Sequence, residues 1–441
     1  MAGPGPGVGQ SHYDGSSGAG HGGRGGRGKS QTRTGAFYGD FTRPQAFGSS
    51  GGGGSGDSVA TGGGVLHIIA REKIIHDGQI TVNGKDAVKN SDYGGGSGGS
   101  VFIEAGGFDG SGVIQVKGGA GGDNGGGGGS GGRFAVHYNS SFFSGTISAY
   151  GGSSSIETGA AGTIYKKHVQ TGFSVLEVYN LGKKPSKEEI DDYTDLRSDS
   201  ARTWLTLSTG SLVPVVLDDV VLGAAIYEGI TIDEVRLGGS AHLAIELDSS
   251  NIRLHTFRKF YGTFEGNSFG FIHVGPRQLL TIPDTDYYIP VNLRIYRSGY
   301  IKLPNRVMLH KNSLSLNAGY LIGVTDLTIS QCKVTFGVDS GALNTGALKA
   351  MQFTFQTVTL MSQGTLEMAS IDAKYSLSIK SLVINSGGEL IGRNLTVIAT
   401  SVSVDESGKI SLDGQGERCP STDVHLAGSG GSHAGYLTIF F

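Results

Sequence analysis

The chain has 441 residues, a net charge of −3 and 78 glycines. With no long run of like charge it makes no electrostatic case for nucleic acid or an anionic membrane surface, and with no run of 18 apolar residues it offers no transmembrane helix. Ten prolines without a Gly-X-Y register exclude collagen, and two cysteines, Cys332 and Cys419, exclude a disulfide framework.

Residues 1–60 are rich in Gly and Ser and poor in apolar side chains. Alone they bury too little surface to offset backbone ordering, which costs about 1–2 kcal/mol per residue. They are expected to be flexible, or to lie as loops against the rest. Gly23-Arg24-Gly25-Gly26-Arg27-Gly28-Lys29-Ser30 matches the letters of a phosphate-binding loop. No strand precedes it and no good helix follows, so the backbone amides and helix end that such a loop needs are missing. The same stretch carries a minimal Arg-Gly-Gly-Arg-Gly segment. An RNA-binding reading would rest on Arg24 and Arg27 alone, and two arginines are few for that purpose.

Residues 61–166 carry a repeat. Gly78-Gln79-Ile80-Thr81-Val82-Asn83-Gly84 returns at Gly112–Gly118 and Gly145–Gly151, about 33 residues apart, and again at Gly408–Gly414. The shared pattern is Gly-x-Ile-x-apolar-x-Gly, a short alternating strand between glycines. A second strand precedes each of the first three copies, after a glycine run, at Val65, Val101 and Phe134. A fixed period of this size predicts stacked units. Glycine-rich stretches such as 118–132 are expected to protrude as loops or to pack as extended backbone. Gly118–Asp123 opens like a calcium-binding nonapeptide, but Gly125 stands where a large apolar residue is needed. Asn139-Ser140-Ser141 and Asn394-Leu395-Thr396 are N-glycosylation sequons.

Residues 167–200 read as a polar linker, where a Ser186-x-x-Glu189 capping box after proline suits one or two helical turns or, equally, a solvated loop. Residues 201–415 are strand-dense, with Gly-x-apolar phrases at Gly364, Gly388 and Gly408 whose spacing suits one coil of a parallel β-helix. Cys332 fits a strand side chain. Asp218-Asp219 and Asp284-x-Asp286 are the acidic pairs a glycan-cleaving groove would require, and paired aspartates in loops are more often turn residues. Residues 416–441 read as the start of a further unit. They align loosely with the N-terminal stretch, His433 on His21, which predicts one module cut from a longer array. The first 30 residues show no signal-peptide apolar core.

The predicted fold is all-β, a right-handed parallel β-helix with long glycine-rich loops, with a β-sandwich as the alternative. The Gly-Gly-x-apolar-x-apolar and Gly-x-Ile-x-Val phrases resemble glycine-rich parallel β-helix surface proteins, among them bacterial autotransporter passengers and adhesins. The likeness covers about residues 60–166 and 360–435, and no membrane-barrel segment follows it. The resemblance implies a non-enzymatic structural or adhesive module, extracellular or at the cell surface, with glycans, matrix or other surface proteins as partners and no nucleic acid. Tyr138, Tyr150, Tyr165, Tyr287 and Tyr288 would supply stacking faces, or else simply cap the core. No catalytic, cofactor-binding or metal-ligating set is assigned. A polysaccharide-active enzyme of pectate-lyase type and a glycine-rich RNA-binding protein are the alternatives. A polar face poor in carboxylates would count against the enzyme.

Overall fold

A computed structural model describes residues 5–29, 34–53 and 58–181, then 203–205, 213–215, 226–238, 242–245, 250–257, 271–274, 279–282, 292–295, 300–317, 319–337, 349–369, 373–392, 394–411 and 436–440. It divides into two compact units, Met1–His273 and Val274–Phe441. Among the described residues there is no α-helix.

The first unit contains β1 (Val65–Ile75), β2 (Gln79–Thr81), β3 (Ser100–Gly110), β4 (Val113–Gln115), β5 (Arg133–Phe143), β6 (Thr146–Ser148), β7 (Thr163–His168) and β8 (Ser174–Tyr179). It continues with β9 (Thr203–Leu205), β10 (Val213–Val215), β11 (Ile226–Gly238), β12 (His242–Ile245), β13 (Ser250–Phe257) and β14 (Phe271–Val274), whose last residue opens the second unit. Strands β1-β3-β5-β7-β8-β11-β13 lie side by side, and β2-β4-β6 form a separate three-stranded sheet. The alternation of each strand sets the core between these sheets. Leu66, Val101, Phe134 and Ile164 share one rank. Ile80, Ile114 and Ile147, the isoleucines of the first three phrases, share another. All seven belong to, or pack against, one apolar cluster.

The glycine runs between these strands do not protrude. Gly94 and Ser97 donate to Gly52 and Ser49, Gly95 and Gly98 to Gly127 and Ser130, and Gly96 and Gly99 to Lys85 and Val82. Successive amides thus reach three different neighbours and return to each after three residues. The next run repeats the scheme. Gly127 and Ser130 donate to Ser16 and Ala19, Gly128 and Gly131 to Glu157 and Ala160, and Gly129 and Gly132 to Gly119 and Val116. A period of three residues per turn, with no internal hydrogen bonds, is that of the left-handed polyproline II helix. Here the extended segments satisfy one another's backbone instead of being satisfied by water. They pack so closely that a Cβ on Gly96 or Gly129 would stand within 3.0 Å of a neighbouring carbonyl oxygen. Side chains enter where a hydroxyl can be satisfied. Buried Ser97 accepts from the Ser49 amide at 2.7 Å, and buried Ser130 from the His21 amide at 2.8 Å.

The second unit contains β15 (Leu279–Thr281), β16 (Asn292–Ile295), β17 (Tyr300–Lys302), β18 (Arg306–His310), β19 (Leu314–Asn317), β20 (Tyr320–Ile322), β21 (Asp326–Ser330) and β22 (Lys333–Gly337). There follow β23 (Lys349–Met361), β24 (Thr365–Met368), β25 (Ala373–Ile384), β26 (Glu389–Ile391), β27 (Asn394–Val404), β28 (Lys409–Ser411) and β29 (Tyr436–Phe440). Its parallel rows are β15-β17-β20, β16-β19-β22-β24-β26-β28 and β18-β21-β23-β25-β27-β29. Alternation again builds the core: Leu293, Leu314, Val334, Leu366, Leu390 and Ile410 stack in one rank.

Neither the right-handed β-helix nor the β-sandwich describes this molecule. The strands divide among four separate sheets of eleven, nine, six and three strands. Parallel pairing is mixed with antiparallel pairs at β7–β8 and β10–β11. All-β is also too narrow a class, because much of the first unit is glycine backbone that is neither strand nor helix. Strand periodicity could not reveal this. It reports side chains facing a core, whereas glycine packs through backbone alone.

Candidate functional site

The x positions of the repeated phrase point away from the core. Because β2, β4 and β6 are in register, they form one outward face, with Gln79, Val113 and Thr146 in the first rank and Thr81, Gln115 and Ser148 in the second. Just beyond the strands come Asn83, Lys117 and Tyr150. Asn83 Nδ2 donates to Gln115 Oε1 at 3.0 Å, and Asn83 Oδ1 accepts the Lys117 amide at 2.8 Å. Lys117 Nζ lies 4.8 Å from the Tyr150 ring centroid. These nine positions comprise hydroxyls, amides, one ammonium, one phenol and one valine, without a carboxylate. The flanking Asp77 and Asp86 are occupied: Asp77 Oδ1 accepts the Ser111 amide at 2.8 Å and Asp86 Oδ1 the Ala120 amide at 2.7 Å, each from the next repeat.

A second polar cluster is buried. Residues 36–47 run as a strap over the other face of β3, β5 and β7. Fully buried Phe41 packs edge-on to Tyr165 at 5.4 Å. Arg133 Nε donates to the Tyr38 carbonyl at 3.0 Å, and Ser100 Oγ to the Ala46 carbonyl at 2.6 Å. His137 Nε2–H donates to the Thr42 carbonyl at 3.0 Å. Beneath the strap, His21 stacks on Tyr38 at 4.6 Å and donates through Nδ1–H to the Gly98 carbonyl at 2.7 Å. Desolvation, then the Arg133 charge, lowers His21 to about 3. Desolvation, then Arg43 and Lys167, lowers His137 to about 4. Burial raises Tyr38 to about 12, and it lowers Arg133 to about 10, which leaves that guanidinium charged at neutral pH. The cluster fastens the strap: most of its polar atoms meet neighbouring backbone, Arg133 Nη1 donates to the Thr163 hydroxyl at 3.3 Å, and His21 Nε2 is buried without a hydrogen-bond partner.

The phosphate-loop letters fall inside the glycine bundle. Gly25 and Gly26 spend their amides on Gly35 and Gly128, and the Lys29 amide goes to Gly125. Both arginines of the RGG-like segment are engaged. Buried Arg24 lies over Phe37, 5.4 Å from the ring centroid, and Arg27 pairs with buried Glu157 at 2.9 Å. In the nonapeptide-like stretch, Gly118 and Gly119 donate within the bundle and Asp123 is exposed in a turn. Among the described residues no three His, Cys, Asp or Glu side chains converge on a metal site.

Asn139 is exposed on β5, just past Tyr138, where pairing with β7 stops. Asn394 opens β27 opposite Tyr436 of β29. Tyr165 is buried and Tyr138 half-buried, edge-on to His168 at 5.8 Å; burial raises both phenols. Of the described tyrosines expected as stacking faces, Tyr138, Tyr150 and Tyr165, Tyr150 alone stands on the outward face just described. The half-buried Cys332 thiol donates to the Leu309 carbonyl at 3.3 Å, and burial raises its pKa. Asp218, Asp219, Asp284, Asp286, Tyr287, Tyr288, Cys419 and the Ser186–Glu189 capping box lie outside the described residues. Sequence reasoning missed the strap and its buried cluster. The signal was Phe37 to Phe47, an aromatic patch inside an otherwise glycine- and serine-rich segment.

No protein-family model, curated protein or solved structure matches this chain. No helix among the described residues is long and apolar enough to cross a membrane.

Proposed function

We propose that this chain is a non-enzymatic structural or adhesive module that works outside the cell or at its surface, with glycans or matrix components as partners. The observation that carries the reading is the outward face of β2-β4-β6. Its hydroxyls and amides are spaced by the sheet itself, and it holds no carboxylate pair for acid–base cleavage of a glycosidic bond. Behind it lies the apolar cluster of Ile80, Ile114 and Ile147, and past its strands the chain enters the cross-bonded glycine segments. Arg24 and Arg27, the groups an RNA-binding reading would use, face inward onto Phe37 and Glu157.

The test is a panel of neutral and acidic polysaccharides offered to the folded chain, with binding and sugar release recorded together. Retention without release of reducing or unsaturated ends, weakened about tenfold in a Gln115→Ala/Tyr150→Ala double variant (about 1.4 kcal/mol), supports the module. Steady product release would replace it with the enzyme.

A further inference from the structure

The three-stranded sheet ends at β2, and the row β16-β19-β22-β24-β26-β28 ends at β28, with no described strand beyond either. Both edge strands carry the same phrase, Gly78-Gln79-Ile80-Thr81 in one and Gly408-Lys409-Ile410-Ser411 in the other. Among the described residues the outer edges of β2 and β28 pair with no strand, and the two are complementary. In β2 the Gly78 carbonyl accepts from the Val113 amide and the Val82 amide donates to the Gln115 carbonyl. Residues of that parity, Ile80 among them, therefore turn their backbone toward β4, and Gln79 and Thr81 turn theirs outward. In β28 the Lys409 amide donates to the Gly388 carbonyl and the Ser411 carbonyl accepts from the Gly392 amide. The flanking residues there face β26, and Ile410 turns its N–H and C=O outward.

A parallel pair needs one central residue bonding to the two residues that flank its counterpart, and these two edges supply the two halves. Side chains agree with the backbone. Ile114 and Val116, with strands on both sides, are 0% exposed, whereas Ile80, Val82 and Ile410 are half-buried. An edge offering unpaired amides beside half-covered apolar side chains is a template for pairing.

We propose that copies of this chain associate head to tail, β28 of one copy pairing in parallel with β2 of the next, so that Ile410 falls opposite Ile80 as Ile114 does. The Ile410 amide donates to the Gln79 carbonyl, and the Thr81 amide to the Ile410 carbonyl. The contact is heterologous, so it propagates into rods or rings rather than stopping at a dimer.

Thr81→Pro and Ile410→Pro each remove one outward N–H, a position where an edge strand tolerates proline. Sedimentation of the full chain should show species that grow with concentration, and each variant alone should remain monomeric. Thr81→Pro retains an intact β28 and Ile410→Pro an intact β2, so a mixture of the two should form a heterodimer and grow no further. In the wild type, amide exchange at Thr81 and Ile410 should slow about tenfold or more between dilute and concentrated samples, a readout that needs no variant to fold. A wild-type chain monomeric throughout, with concentration-independent exchange at both amides, would overturn the proposal. So would growth of the mixed variants past two copies, or assembly that survives Ile410→Pro.

Discussion

Glycine in this chain is a packing residue. At Gly129 an added Cβ would stand within 3.0 Å of the Gly96 carbonyl oxygen, whereas at Gly64 it would meet nothing within 4 Å. Gly129→Ala should cost about 1–3 kcal/mol, as overpacking does. Gly64→Ala should be neutral or slightly stabilising, since it restricts the unfolded chain. Urea unfolding of the two variants, one residue type changed in one way, separates close packing from backbone freedom. The buried histidines make a second prediction. His21 and His137 are held near 3 and 4, below the value of about 6.5 expected in an unfolded chain. Above pH 6.5 both states carry them neutral and they add no pH dependence. Below it the unfolded chain binds protons first, so stability falls as pH falls toward the folded values. The urea midpoint should drop between pH 7 and pH 5, and His21→Gln and His137→Gln should each flatten that drop.

At the scale of elements, one phrase gives different energies in different ranks. Ile114 is fully buried between β2 and β6, and Ile80 is half-buried at the edge. Ile114→Ala should cost about 2–5 kcal/mol, and Ile80→Ala clearly less in the monomer, both measurable by denaturant unfolding. The strands themselves were legible. The alternation of Gln79–Val82 and its copies placed β2, β4 and β6, and the 33-residue spacing placed Ile80, Ile114 and Ile147 in one rank. The antiparallel return of β7 onto β8 was not legible, because Ser174–Tyr179 falls in the stretch read as a polar linker and neither strand carries a clean alternation. The outward face was readable in part. The x positions of the phrase, Val113 apart, are polar in the sequence, but the side chains that surround them come from the register of three strands.

At the scale of the whole molecule, the N-terminal glycine segments lie inside the first unit and hold later ones in place. Ser49 and Gly52 accept from Ser97 and Gly94, and Ser16 and Ala19 accept from Gly127 and Ser130. Removal of residues 1–53 should therefore raise hydrogen exchange at those four amides. Gly96 and Gly99, bonded to Lys85 and Val82, should stay better protected. The same deletion removes the strap and uncovers Phe102, which is 1% exposed in the intact chain.

The sequence by itself determined where the strands of the glycine-rich repeat start, which of its isoleucines share a rank, and that the glycine stretches could not form a conventional core. The tertiary structure alone decided that those stretches pack as a cross-bonded bundle, which segments neighbour which, and that Arg24, Arg27 and His21 turn inward. The reason is physical. A side chain writes its burial and its partner into the local pattern, whereas glycine offers the same amide and carbonyl at every position. The choice among identical neighbours falls to the flanking strands, the buried serines and the strap that carries Phe41.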